Sequence, residues 1–102
     1  MTYRRVRTDY PKGVVAVYDN GGQTIDRYTV VYTPEQHSPG LDYFSWVYMS
    51  GEPTHPQGVC QHGEGTTRPL SGWGTPDHNQ VIAFEELPEQ CQQIVQQDLT
   101  LA

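Results

Sequence analysis

Val14-Val15-Ala16-Val17-Tyr18, then Asp19-Asn20-Gly21-Gly22, then Thr24-Ile25-Asp26-Arg27-Tyr28-Thr29-Val30-Val31-Tyr32-Thr33: this stretch decides the fold. The two flanking runs are rich in β-branched and aromatic residues, which suit a pleated, half-buried surface. The Asn-Gly and Gly-Gly steps between them supply the positive φ values that a tight hairpin needs, with no Cβ penalty. A β-hairpin is therefore expected at residues 14–33, with the rest of the domain built around it. On the second strand, Asp26 and Arg27 would sit mid-strand on opposite faces, because the side-chain period is two.

Working outward, Tyr43-Phe44-Ser45-Trp46-Val47-Tyr48-Met49 reads as a third strand with apolar residues on both faces, hence a central one. Val59-Cys60-Gln61-His62 reads as a short strand or an extended loop. Val81-Ile82-Ala83-Phe84 reads as the last strand, buried on both faces. Residues 51–58 and 63–77 are rich in glycine and proline and read as loops. The C-terminus predicts a helix over 87–99. Pro88 suits its first turn, and Glu85, Glu86 and Glu89 favour the positive end of the helix dipole. Leu87, Cys91, Ile94, Val95 and Leu99 make one apolar stripe opposite Gln92, Gln93, Gln96 and Gln97. The fold class is α+β: an antiparallel sheet of four or five strands with a single C-terminal helix packed on one face. One domain spans 1–102, with a basic arm or first edge strand at 1–12, the sheet and its long loops at 13–84, and the helix at 87–99.

At 102 residues the chain buries a small core, and its 35% apolar content is low for a globular domain. Seven tyrosines and two tryptophans compensate in part, because each ring buries a large area. The formal net charge of −6 is uneven. Residues 1–12 hold Arg4, Arg5, Arg7 and Lys12 against Asp9 alone, a net of +3. The other 90 residues hold two basic and eleven acidic side chains, a net of −9. An acidic body repels phosphates and argues against nucleic acid as its partner. Neither a signal-peptide pattern nor an apolar run of membrane-spanning length is present, and two cysteines make no disulfide framework. A cytoplasmic protein with no membrane partner is the expectation.

Reactive side chains concentrate at residues 51–65: Glu52, His55, Cys60, His62 and Glu64. In an extended segment Cys60, His62 and Glu64 point the same way. Cys60 and His62, together with His55 and with His78 from the next loop, are the candidate zinc ligands. The spacing matches no zinc-finger or ribbon pattern, so no metal or other cofactor is favoured. Cys60, His62 and Glu64 are also the candidate catalytic set, as thiolate nucleophile, base and orienter, with Asp26 as the alternative orienter. Against this, side chains at i and i+2 on a strand lie about 6–7 Å apart, too far for a direct hydrogen bond without a bend. Trp73, Asp26, Arg27 and His55 are the candidate binding residues. Trp73 lies between two glycines in a loop, and exposed tryptophans anchor partners. For Asp26 and Arg27, a structural ion pair or an edge-guarding charge is the plainer reading. No phosphate loop, nucleophile elbow or EF-hand pattern appears.

Three runs carry a resemblance: Asp19-Asn20-Gly21-Gly22-x-Thr24-x-Asp26-Arg27-Tyr28-Thr29-Val30-Val31; Pro53-x-x-Pro56-Gln57-Gly58-x-x-Gln61-His62-Gly63-Glu64; and Glu86-Leu87-Pro88-Glu89-x-Cys91-Gln92-x-x-Val95-x-x-Asp98-Leu99. In this order they resemble a group of small uncharacterised proteins of bacterial genomes and their phages or plasmids, over residues 14–99. Segments 33–42 and 66–79 read as insertions in that pattern. The group has no assigned activity, so the resemblance implies a mobile-element context and no catalytic roles. The expectation is a small non-enzymatic protein-interaction domain, with a host or phage protein complex as its target. The alternative is a metal-binding or Cys/His-dependent enzyme using residues 51–65. A sheet edge left open by the single helix could pair with a second copy as a homodimer.

Overall fold

The two glycines of the opening turn adopt the left-handed backbone that the sequence demands, with φ of 76° at Gly21 and 87° at Gly22. The connection is nevertheless longer than a tight hairpin. Asn20 N–H donates to the Arg27 carbonyl at 3.0 Å, so residues 20–27 form the loop and the second strand starts at Tyr28. Asp26 and Arg27 are thus loop residues, a correction to their expected mid-strand position. The physical reason lies in the side chains. Asn20 is fully buried, and its Oδ1 accepts the Gly22 and Gln23 N–H groups. Asn20 Nδ2 donates to the Thr24 hydroxyl, which donates to the Asp26 carboxylate. These short polar side chains offer the backbone an alternative to the β-ladder.

The computed structural model describes residues 6–33, 44–67, 69–72 and 79–101. Strands β1 (Val14–Asp19), β2 (Tyr28–Tyr32), β3 (Phe44–Met49) and β4 (Cys60–Gly65) form an antiparallel meander. A two-residue β5 (Gln80–Val81) adds beside β1, so the order is β4-β3-β2-β1-β5. A 3-10 turn at Phe84–Glu86 leads into helix α1 (Glu89–Leu101). The five-stranded antiparallel sheet with one C-terminal helix is the α+β arrangement expected from the sequence. Among the described residues no helix is long and apolar enough to cross a membrane.

A bulge in β1 between Val14 and Ala16 lets neighbouring residues serve both sheet faces. On the helix side, Val14, Val17, Val30, Val47 and Met49 pack against Leu87, Cys91 and Val95, with Ile94 and Leu99 at the margin. On the opposite side, Val15, Ala16, Tyr18 and Val31 pack with Phe44 and Trp46.

Three elements differ from expectation. The last strand, expected at 81–84, pairs only at Gln80 and Val81, and Val81 is exposed. Tyr10 explains where the ladder stops. Ile82 N–H still reaches the Val17 carbonyl, but the Tyr10 hydroxyl accepts the Val17 N–H and donates to the Ile82 carbonyl at 2.8 Å. That hydroxyl takes over the next ladder position, and Ile82 and Phe84 turn into the helix-side core. Residues 6–13 accordingly form no regular edge strand, although Val6 N–H bonds the Val15 carbonyl. The second difference is β4, which extends to Gly65 through residues expected to form a loop. The helix begins at Glu89 and not at 87, and its first bond runs from Gln92 N–H to the Pro88 carbonyl.

Candidate functional site

β4 is the outermost strand on its side of the sheet. Its register places Cys60 opposite Met49, His62 opposite Val47 and Glu64 opposite Ser45. Met49 and Val47 belong to the helix-side core, so Cys60, His62 and Glu64 share the face covered by α1. All three are exposed, as is Gln61 on the other face. Behind them, α1 and β2 contribute two residues that form a polar junction. His62 Nε2 lies 2.9 Å from Asp98 Oδ2, and the Tyr32 hydroxyl donates to the same oxygen at 2.6 Å. Burial, reinforced by Asp98, pushes the Tyr32 pKa far up, so its hydroxyl stays protonated and acts as the donor.

Asp98 and Tyr32 were not among the residues singled out by sequence. Asp98 had a signal: it lies seven residues after Cys91 and three after Val95, on the flank of the apolar stripe. An acid there faces the sheet and requires a partner.

The chemistry of Cys60 runs against an activated thiolate. Burial raises its pKa, and the nearby Asp98 charge raises it further. A nucleophilic cysteine needs the opposite shift. No hydrogen bond joins Cys60 to His62 among the described residues, and the His62 ring is engaged by Asp98. The expected metal ligands divide as follows. Cys60 and His62 share β4, whereas His55 sits in the preceding turns, where its Nδ1 accepts the Gln57 N–H. His78 and Trp73 lie outside the described residues. Among the described residues no three His, Cys, Asp or Glu side chains converge to hold a metal ion.

The connection before β4 is itself fixed. His55 N–H donates to Glu52 O and Gly58 N–H to His55 O, giving two successive turns. The Thr54 hydroxyl donates to Gln90 Oε1 at 2.8 Å, which ties the loop to the start of α1. Ser50 holds the far end: its N–H donates to Val59 O and its Oγ accepts the Val59 N–H, both at 2.9 Å.

Asp26 and Arg27 serve the β1–β2 loop. Arg27 makes a two-point pair with Asp19, at 2.7 and 3.1 Å, and its guanidinium lies 5.2 Å from the Tyr28 ring centroid. Burial opposes ionisation of Asp19. The Arg27 hydrogen bonds, the Gly21 N–H and the Arg27 charge outweigh it, and the carboxyl pKa falls below its ordinary value. A depressed carboxyl pKa adds stability above the unfolded-state value near ~3.9 and loses it as pH falls through the folded-state value. Because the pair is partly exposed, the contribution is about 0.5–1 kcal/mol. Urea unfolding of the protein and of Arg27→Ala should therefore differ by this amount at neutral pH. The two curves should converge once the pH is low enough to protonate Asp19; a gap that persists there would contradict the ion-pair origin.

No family model, no curated protein and no solved structure matches this chain.

Proposed function

We propose that this protein is a small interaction domain that captures an extended segment of a partner protein as an additional strand beside β4. The observation that carries the reading is the open edge. Among the described residues β4 pairs with β3 on one side and with nothing on the other. Strand addition uses such an edge: main-chain hydrogen bonds give affinity, and alternate side chains give specificity.

The geometry also says which groups are on offer. Ser50 and Val59 exchange bonds at the start of the β3–β4 ladder. In an antiparallel pair, hydrogen-bonded and non-hydrogen-bonded positions alternate. Residues 59, 61, 63 and 65 therefore turn their backbone groups toward β3, and Cys60, His62 and Glu64 turn theirs outward. Charge selects the chemistry of the guest. No Lys or Arg occurs from residue 28 to 67 or from 69 to 102, and Glu64 and Asp98 flank the edge. The fitting partner is a basic, extended peptide segment. In the mobile-element context implied by the resemblance, it belongs to a host or phage protein. The raised pKa of the Cys60 thiol and its lack of a bond to His62 favour binding over thiol catalysis.

The test is amide hydrogen exchange with synthetic peptides that alternate Lys or Arg with Val or Thr and are long enough to match β4. Binding should protect the amides of Cys60, His62 and Glu64, and added salt should weaken it. Glu64→Pro removes one outward donor without touching the β3 ladder and should lose binding, whereas Glu64→Gln should retain strand addition with lower affinity. Failure of every peptide to protect these amides sinks the reading. Protection that grows with protein concentration alone would replace the peptide with a second copy of the chain.

A further inference from the structure

We propose that Cys60 and Cys91 form a redox modification site, in which a low-molecular-weight disulfide such as oxidised glutathione converts the two thiols into an intramolecular bond between β4 and α1. Three observations meet at Ser50. The Cys91 thiol, wholly buried on α1, donates to the Ser50 carbonyl at 3.3 Å. Ser50 directly follows Met49, the residue opposite Cys60. Ser50 also makes the two bonds that lock Val59, immediately before Cys60. Both cysteine side chains lie on the helix side of the sheet. Burial first, and the charge of Cys60 second, push the Cys91 pKa up to about 11. A disulfide spans Cα atoms about 4.4–6.8 Å apart, and an exposed edge-strand side chain is free to turn toward the helix.

The unequal exposure of the pair assigns the order of events. The Cys60 thiolate attacks one sulfur of the small disulfide, forming a mixed disulfide and releasing one small thiol. The Cys91 thiolate then attacks the Cys60 sulfur and releases the second. Two protein thiols are oxidised by two electrons, one small disulfide is reduced to two thiols, and the two protein protons pass to the departing thiolates. Because burial holds both thiols above their ordinary pKa, oxidation should be slow near neutrality and accelerate as pH rises. The inference is independent of the strand-addition reading.

The experiment treats the full chain with oxidised glutathione and follows it by intact mass, peptide mapping and thiol quantitation. The expected product has lost two hydrogens, carries no glutathione, contains a Cys60–Cys91 linked peptide and unfolds at a higher urea concentration than the reduced protein. Cys91→Ala should stop at a stable glutathione adduct on Cys60. Cys60→Ser, altered only at an exposed position, should leave Cys91 unmodified. A stable glutathione adduct on the unsubstituted protein, a Cys60-linked dimer, or a link that forms only in denaturant would overturn the proposal. Since these outcomes are read on the unsubstituted chain, a Cys91→Ala variant that fails to fold leaves the test intact.

Discussion

Gly58→Ala is expected to destabilise the protein by about 3 kcal/mol, the upper range for forcing extra volume into a packed site. A Cβ at this position would lie 2.1 Å from the Glu52 carbonyl oxygen and 3.0 Å from both the His55 carbonyl oxygen and the Pro53 carbonyl carbon. All three are backbone atoms, so no side-chain rotation relieves the clash. The two turns of the 51–59 connection would have to open. That would strain the Ser50–Val59 bonds that start the β3–β4 ladder. Gly51→Ala, in the same connection, meets nothing within 4 Å and should change stability by no more than about 0.5 kcal/mol. Urea midpoints at unchanged m-value measure both. Equal midpoints for the two variants would show that the loop relaxes freely and that the close approach at Gly58 has no energetic weight.

The second large effect is expected at Asn20→Ala, a loss of about 2–3 kcal/mol. Asn20 is wholly buried and accepts two backbone N–H groups while donating to Thr24. Alanine removes the acceptor and leaves those groups to whatever water reaches the loop, at about 1–3 kcal/mol for each buried group left unpaired. Gly22 and Gln23 are exposed, which keeps the total toward the lower end of the simple sum. Thr24 would also be released from the Asn20–Thr24–Asp26 chain. Amide exchange should show the damage concentrated in residues 20–27. A stability change below about 0.5 kcal/mol would mean that the glycine backbone alone holds the turn.

These two sites show where the sequence was legible and where it was not. The hairpin could be read because Gly21 and Gly22 have few other reasons to stand between two β-rich runs. Its length could not, because Thr24 and Ile25 have β-forming character, yet the Asn20–Thr24–Asp26 side-chain chain holds them in the loop. The helix was legible from its apolar stripe, with each end displaced by two residues from the expected 87–99. β4 was legible only in its first half, as a short strand or extended loop at 59–62, because Gly63-Glu64-Gly65 carries little β-propensity. Its glycines have a packing reason, since a Cβ at Gly63 would meet the Trp46 indole nitrogen at 2.3 Å. The cross-strand partner on β3, and not the strand's own preference, determines its conformation. The Tyr32–Asp98–His62 junction joins residues 36 and 66 positions apart, a pairing that no local pattern reveals.

The order of the elements has a consequence for synthesis. β1 to β4 form a meander of neighbouring hairpins, so most of the sheet can assemble from contacts near in sequence while the chain is still being made. The helix that covers Val17, Val30, Val47 and Met49 is encoded after all of them. Until Cys91 and Val95 have emerged from the ribosome, that apolar face stands open beside an unpaired strand. The nascent chain is then at its most adhesive.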